Sequence, residues 1–387
     1  MQRTFSAVLL GAVLLCGGCA PDPPSPDNAT VPAPVVAERP TGGPAAATVY
    51  PGQSWARATP AQANVDSVAL ASALDYLAGH CGENGLTETL VVRYGRVIWA
   101  GDSIRKVHDI WSCTKSFTSA LAGMLVEEGK IDLDDTVSGT VPELRQHYPT
   151  ATYRHFLTMT SGYNAVGRSR WAEDSEDWSR TPFRPAPPLF APGTAFAYWD
   201  EAYIMLGRAL TLAAGTSLEN YAAERLMSPL GIKRWTWWSE TATADGTPLN
   251  FGGTGLKLSA ADHARFGLLF LNAGRWRDRQ LLPADYVARA TSVQVSPGVP
   301  VADTDRRNVV GPGRYGLGWW VIEPAAGVPT RAFYTSGLNH NVCLVIPAWD
   351  MVVVRAGTDG NPAAGKHAVY TELVRKLADA IGEYARD

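Results

Sequence analysis

Apolar residues punctuate this chain in two rhythms. Between 65 and 78 they fall at Val65, Leu70, Leu74 and Leu77, roughly one face of a helix. Apolar runs at 90–94 and 97–100 flank Gly95-Arg96, which predicts a hairpin. Helical spacing returns over 112–128, where Phe117, Leu121, Met124 and Leu125 are expected to bury one side of a helix that stops at Gly129. Polar, proline-punctuated and helical pieces follow to Leu212, with 203–212 the clearest helical run. The stretch 168–188, rich in charge, Trp and Pro, reads as an irregular loop and a candidate cleft wall. Late in the chain, 315–322, 331–336, 341–346 and 351–355 read as strands separated by Gly, Pro and Asp, before a last helix over 366–384.

Strands at both ends with helices between predict an α+β fold, an antiparallel sheet flanked by helices whose first strands pair with its last. At 387 residues the chain exceeds a usual single core. The division expected is a catalytic body over 56–140 and 213–387 with a mainly helical insertion over 141–212. No internal repeat is evident.

The first residues break the pattern. Arg3 precedes an apolar run from Ala7 to Leu15, then Gly17 and Gly18 stand directly before Cys19, which reads as a secretory signal. The arrangement resembles a bacterial lipobox, with Cys16 where Leu is usual. That resemblance implies lipidation at Cys19 and export to the bacterial cell envelope, in the periplasm or outer membrane; ordinary cleavage near Ala20 is the alternative. No later apolar run approaches the roughly 20 residues that span a bilayer, so the membrane is met through an anchor. Residues 20–55, with Pro21, Pro23, Pro24 and Pro26 and almost no large apolar side chains, read as a disordered tether.

Composition changes the picture in two places. Hydrophobic residues make up 46% and charged residues 18%, a globular balance, while a net charge of −3 and a pI near 6.2 give no general attraction to polyanions. Nucleic acid is therefore not an expected partner. Processing would leave Cys81, Cys113 and Cys343, which allow one internal disulfide at most. Cys113 reads as buried filler, and Cys81 with Cys343 is the pair to test.

Ser-x-x-Lys occurs twice, at Ser103–Lys106 and Ser112–Lys115. Covalent catalysis by this pair needs both side chains on one helical face, with the serine at a helix N-terminus where amide donors favour developing negative charge. Only Ser112 meets that condition, since Ser103 follows a hairpin end and leads into no apolar helix. Lys115 can act as base only while its amine is neutral. A second proton carrier is wanted for the leaving group, and Tyr198, in a Pro/Gly turn before a helix, is the candidate.

Further strings arrive in a telling order: Ser112-Cys113-Thr114-Lys115-Ser116-Phe117, Gly129-Lys130-Ile131-Asp132-Leu133-Asp134-Asp135, Phe156-Leu157-Thr158-Met159-Thr160-Ser161-Gly162, Pro192-Gly193-Thr194, Pro229-Leu230-Gly231 and Gly253-Thr254-Gly255-Leu256. Over residues 65 to 380 the chain resembles the serine beta-lactamase-like family of class C beta-lactamases, DD-peptidases, esterases and nylon-oligomer amidases. The resemblance implies a beta-lactamase/DD-peptidase-like fold, Ser112 as acylated nucleophile, Lys115 and Tyr198 as its proton carriers, and no cofactor. It also implies that Asp200, Thr335, Ser336 and Gly337 line the substrate site.

Two departures matter. The family's Tyr-x-Asn is here Tyr198-Trp199-Asp200, so a donating amide has become a carboxylate, which cannot donate when ionised. The third motif reads Thr335-Ser336-Gly337 and lacks its leading cation, for which Arg331, His340 and Arg314 are the candidates. The strand can still supply a backbone N–H, that of Leu338, to pair with the N–H of Ser112 as an oxyanion hole.

The seven His show no ligand spacing with a carboxylate or Cys, so no metal site is expected. Gly-x-Ser-x-Gly is absent, which disfavours an α/β-hydrolase elbow. Trp235, Trp237, Trp238, Trp319 and Trp320 read first as core and rim packing, and His108 as a packing residue. The expected activity is hydrolysis of a small-molecule ester or amide through an acyl-enzyme. Beta-lactam hydrolysis or D-Ala-D-Ala cleavage is the alternative, and a non-catalytic envelope lipoprotein that binds peptides is the reading from another class. The sequence sets no oligomeric state.

Overall fold

The computed structural model describes residues 48–165, 183–302, 314–360 and 365–381. Cys19 with the signal segment, most of the expected tether and most of 168–188 lie outside these residues.

Helix α1 (Ser67–Ala78) begins at Asp66, whose carboxylate accepts from the amides of Val68 and Ala69 at 2.8 Å, a cap worth about 1 kcal/mol. Strands β1 (Thr89–Arg93) and β2 (Arg96–Ala100) form the predicted hairpin. Its two turn residues, Tyr94 and Gly95, have φ of +53° and +71°, the left-handed pair that matches strand twist. A side chain on Gly95 would meet the Val49 carbonyl at 1.9 Å, because residues 48–55 lie against the body. Val49 N donates to Tyr94 O and Trp55 Nε1 to Ala261 O, each at 3.1 Å. Residues 48–55, expected as part of a tether, are instead packed on the body: Val49, Tyr50 and Trp55 give this stretch apolar surface to bury.

The remaining main elements are α2 (Thr114–Glu127), α3 (Asp200–Ala214), α4 (Ala260–Leu271), β3 (Trp320–Ile322), β4 (Ala332–Ser336), β5 (Val342–Ile346), β6 (Met351–Arg355) and α5 (Lys366–Ile381). One antiparallel sheet runs in the order β3-β4-β5-β6-β1-β2, with Val91 opposite Val353, so the first strands do pair with the last. Every residue of β1, β5 and β6 is buried, which means both faces are covered. Neighbouring residues of β4 identify the covers. Tyr334 meets His367 and Tyr370 of α5, whereas Thr335 bonds His263 of α4. Since successive strand residues point to opposite faces, α5 lies on one side and α4 on the other. Helix α3 runs past the expected boundary at 212 to Gly215, whose φ of +72° ends it.

Three expectations need correction. Helix α2 is buried on every side rather than one, from Thr114 through Leu125. Its hydroxyls make this possible: Ser116 Oγ donates to Gly318 O at 2.6 Å, Thr118 Oγ1 to Gly252 O at 2.7 Å and Ser119 Oγ to Leu317 O at 2.5 Å. The same contacts shorten the strand predicted at 315–322, because residues 315–319 cross close under α2. Gly318, at φ +78°, has no room for a side chain, with Tyr203 Oη, Ser119 Cβ and Lys115 O within 3.0 Å of where one would start. Finally, Cys81, Cys113 and Cys343 are all free and buried. Cys343 Sγ turns toward α4, 3.8 Å from His263 O, while Cys81 sits in the field of Arg355 and Asp359, so the two sulfurs do not face each other.

Candidate active site

Ser112 stands in a single tight turn, Trp111–Cys113, directly before α2. Trp111 holds the left-handed φ of +55°, a strained conformation for a bulky side chain. Neighbouring bonds fix it there. Trp111 N donates to Asp109 Oδ1 at 2.6 Å, Thr114 Oγ1 to Trp111 O at 2.6 Å, and Ile110 N to Leu256 O at 3.0 Å.

One turn into the helix, Lys115 is 1% exposed, and its Nζ donates to Ser112 Oγ at 2.8 Å, Gly253 O at 2.8 Å and Asp200 Oδ1 at 2.5 Å. Three acceptors for three N–H groups describe an ammonium. The carboxylate comes from the first turn of α3 and is 21% exposed, so it is the wet side of a buried pair. Tyr198 is buried beside Ser112 and Lys115, with its ring centroid 4.9 Å from Lys115 Nζ. Burial pushes its phenol above the ordinary value, and the Lys115 charge works against that. Trp320, 5.3 Å from Tyr198 between ring centroids, backs the phenol.

Across from Ser112 runs the end of β4. Gly337 packs so tightly on the turn that a side chain there would stand 2.2 Å from Ile110 O and 3.2 Å from Cys113 Sγ. Leu338 follows, its side chain 49% exposed. Ser336 is half-buried. Thr335 is different from what its motif suggests: it is fully buried, accepts from Cys343 N at 3.0 Å and pairs with His263 Nε2 at 3.2 Å. Strand alternation turns it into the core under α4, so it cannot line the substrate site.

Of the candidate cations, Arg331 donates to Thr291 O and neighbours Glu323, while His340 is buried against Tyr370. Arg314 is exposed and acts electrostatically on Tyr334 and His367. The cation found at the motif is one the sequence reading missed. Lys366, first residue of α5, donates from Nζ to Gly337 O at 2.6 Å. No carboxylate among the described residues lies within ion-pair distance of it, and burial holds its ammonium below the usual lysine range. Gly253, flagged only as part of a string, proves to be the carbonyl that anchors Lys115.

The competing Ser-x-x-Lys is separate. Ser103 is in a turn, and Lys106 reaches Glu88 at 3.1 Å. Glu88, 1% exposed, also binds His108 Nε2 at 2.7 Å, so His108 belongs to that pair and not to Ser112. Trp319 is buried and stacked on Phe266, and Trp237 donates to Phe251 O at 2.9 Å, both in packing roles. Among the described residues no group of three His, Cys, Asp or Glu side chains converges as a metal site would need. The Cys113 thiol is pushed up to about 12 by burial, which keeps it protonated beside Ser112.

Residues 89–375 match the beta-lactamase family. The Aspergillus terreus monacolin J acid methylbutanoyltransferase is 31% identical over 156 residues, which span 33% of this chain and 37% of that enzyme's length. Among solved structures, EstCE1, described as a hydrolase with promiscuous acyltransferase activity, superposes with a TM-score of 0.62 at 18% identity, over 81% of this chain and 98% of that one. A penicillin-binding protein homologue from Caulobacter crescentus gives a TM-score of 0.61 at 15% identity, over 82% and 98%. Identities this low speak for the fold, an antiparallel sheet with flanking helices, which is the one seen.

Proposed function

Since this chain belongs to the beta-lactamase family, we propose that it is a serine hydrolase that cleaves an ester or amide of a small molecule through an acyl-enzyme on Ser112. One observation carries the reading: Lys115 Nζ is hydrogen-bonded to Ser112 Oγ at 2.8 Å, with the buried Tyr198 ring 4.9 Å from the same Nζ. A nucleophile within reach of its proton carriers is the requirement of covalent catalysis.

In this mechanism Lys115 begins as the ammonium paired with Asp200. Substrate that excludes water from the carboxylate makes the ion pair costly, and one proton moves from Nζ to Oδ1, leaving a neutral pair. The freed amine takes the Ser112 proton as Oγ attacks the carbonyl carbon. The oxyanion is held by the N–H groups of Ser112 and Leu338. When the tetrahedral intermediate collapses, Tyr198 gives its proton to the leaving group and regains one from Lys115. Water then attacks the acyl-enzyme with the same groups in reverse order, Ser112 recovers its proton, and Asp200 returns the borrowed one. An alcohol in place of water would give acyl transfer, the activity named for the Aspergillus terreus relative. A protonated Asp200 also donates a hydrogen bond, as the family's amide does, which removes the objection raised by the Asn-to-Asp departure.

The unpaired Lys366 ammonium favours a second reading, in which the substrate carries a carboxylate, as beta-lactams and peptide C-termini do. Nitrocefin against short p-nitrophenyl esters separates the two. The protein is further proposed to reside in the bacterial cell envelope, lipidated at Cys19. The deciding test is mass spectrometry after a fluorophosphonate probe. Labelling of wild type and Ser103→Ala, lost in Ser112→Ala and slowed in Lys115→Ala, supports the assignment; unlabelled wild-type protein would hand it to the peptide-binding reading.

A further inference from the structure

Away from the nucleophile, a cleft of about 500 Å3 opens between Pro51–Gln53, Pro229–Lys233 and the short hairpin of Arg275-Trp276 and Arg279-Gln280. Its charged lining is Lys233, Arg265, Arg277 and Arg279 against a single acid, Asp278. In a protein of net charge −3 this excess is local and not compositional.

Arg265 forms the floor. Its side chain is 5% exposed, with Nη1 donating to Leu230 O at 2.9 Å, Nη2 to Gly52 O at 2.7 Å, and Nε ion-paired with Asp262 Oδ1 at 3.5 Å. Burial opposes its charge, the Asp262 carboxylate supports it, and Arg277 and Arg105 add repulsion. Lys233 and Arg279 are exposed, and Arg277, also exposed, donates to Pro51 O at 3.1 Å. Three exposed cations, Lys233, Arg277 and Arg279, thus ring a guanidinium that already has its partners, with Asp278 as the one acid of the lining, and such a concave excess of positive charge attracts anionic oxygens.

The same face carries the start of the described chain. Tyr50 packs edge-on to Trp276 with ring centroids 5.1 Å apart, and Thr48 Oγ1 reaches Asn272 Oδ1 at 3.3 Å. From Thr48 back to Cys19 lie residues 20 to 47, which is 28 residues. An anchor at Cys19 would therefore be joined by those residues to the part of the body that carries the cleft.

We propose that this basic face docks on an anionic phospholipid surface, with headgroup phosphates received by Lys233, Arg277 and Arg279. The proposal rests on Cys19 as the anchor for its cellular setting, but the surface itself can be tested without the lipid. The mature chain, residues 20–387 made without its leader, is sedimented with vesicles of phosphatidylcholine alone or with 30% phosphatidylglycerol. Partition into the anionic vesicles only, falling in 0.5 M salt, is expected, with about a fivefold loss for each cation removed. Lys233→Ser/Arg279→Ser is the first variant, because both side chains are exposed and neither serves the ester site, so retained hydrolysis certifies its fold; adding Arg277→Ser deepens the loss. Equal partition into both vesicle types, an unchanged double variant, or binding of inorganic phosphate without vesicle partition would each overturn the proposal. Cys19 lipidation is read separately, from the mass of the protein isolated from membranes, so its failure is not confused with this one.

Discussion

Gly337→Ala tests the oxyanion hole through its backbone. The residue has an ordinary extended φ of −126°, so alanine adds no conformational strain and acts through space alone. Its Cβ would stand 2.2 Å from Ile110 O. Carbon and oxygen rest at about 3.2 Å or more, so β4 must retreat from the Trp111–Cys113 turn by about 1 Å. An oxyanion donor works at 2.7–3.1 Å, and the same retreat takes the Leu338 N–H past hydrogen-bonding range. Losing one such donor costs about 3 to 4 kcal/mol, or a 10²- to 10³-fold fall in kcat. The assay is steady-state hydrolysis of p-nitrophenyl butyrate, with thermal unfolding to confirm the fold. Gly139→Ala, which meets nothing within 4 Å, serves as the neutral comparison. A Gly337→Ala enzyme within threefold of wild type, while Ser112→Ala is inactive, would refute the assignment of Leu338.

Three further outcomes are expected. Asp200→Asn removes the partner that holds Lys115 charged, so the acid limb of the kcat/KM profile should move to lower pH; an unmoved limb would remove Asp200 from the proton path. Lys366→Met should lower kcat/KM about tenfold or more for esters whose acyl group ends in a carboxylate while sparing neutral ones, and equal losses on both would make the lysine a support for Gly337 only. His367, bonded to Tyr334 at 2.9 Å, has its imidazole held down to about 4 by burial. From about pH 6.5 downward the unfolded chain binds a proton there that the folded one refuses, so stability falls by about 1.4 kcal/mol per pH unit until pH 4. Urea unfolding of His367→Gln at pH 7, 6 and 5 should lack that slope, and curves parallel to wild type would exclude the residue.

The sequence made the outer frame readable because its signals are local. Apolar runs on either side of Gly95-Arg96 mark a hairpin, whose turn proves to be Tyr94-Gly95, Leu70, Leu74 and Leu77 mark one helical face, and Ser112 with Lys115 lie one turn apart on any helix. What stayed hidden depends on partners distant along the chain. Ser116, Thr118 and Ser119 read as a polar face, and only carbonyls from Gly318, Gly252 and Leu317 turn that face inward. Thr335 sits in a site-like motif, yet strand alternation points it at His263. Lys366 carries no motif, and nothing before the fold brings it to Gly337. Position 200 was legible as a departure, but its pairing with Lys115 needed the geometry.

The pairing of β1 with β6 has a consequence for assembly in time. Val91 and Val353 are 262 residues apart, and closing a loop of that length costs about 5 kcal/mol of chain entropy before the contact returns anything. Such non-local pairing makes for slow folding. Ser112 and Lys115 are synthesised in the first third of the chain, whereas Leu338 and Lys366, which face them from the other side, lie in its last 50 residues. A growing chain therefore carries Ser112 long before it carries the strand end opposite, and the two meet only when the final strands close the sheet.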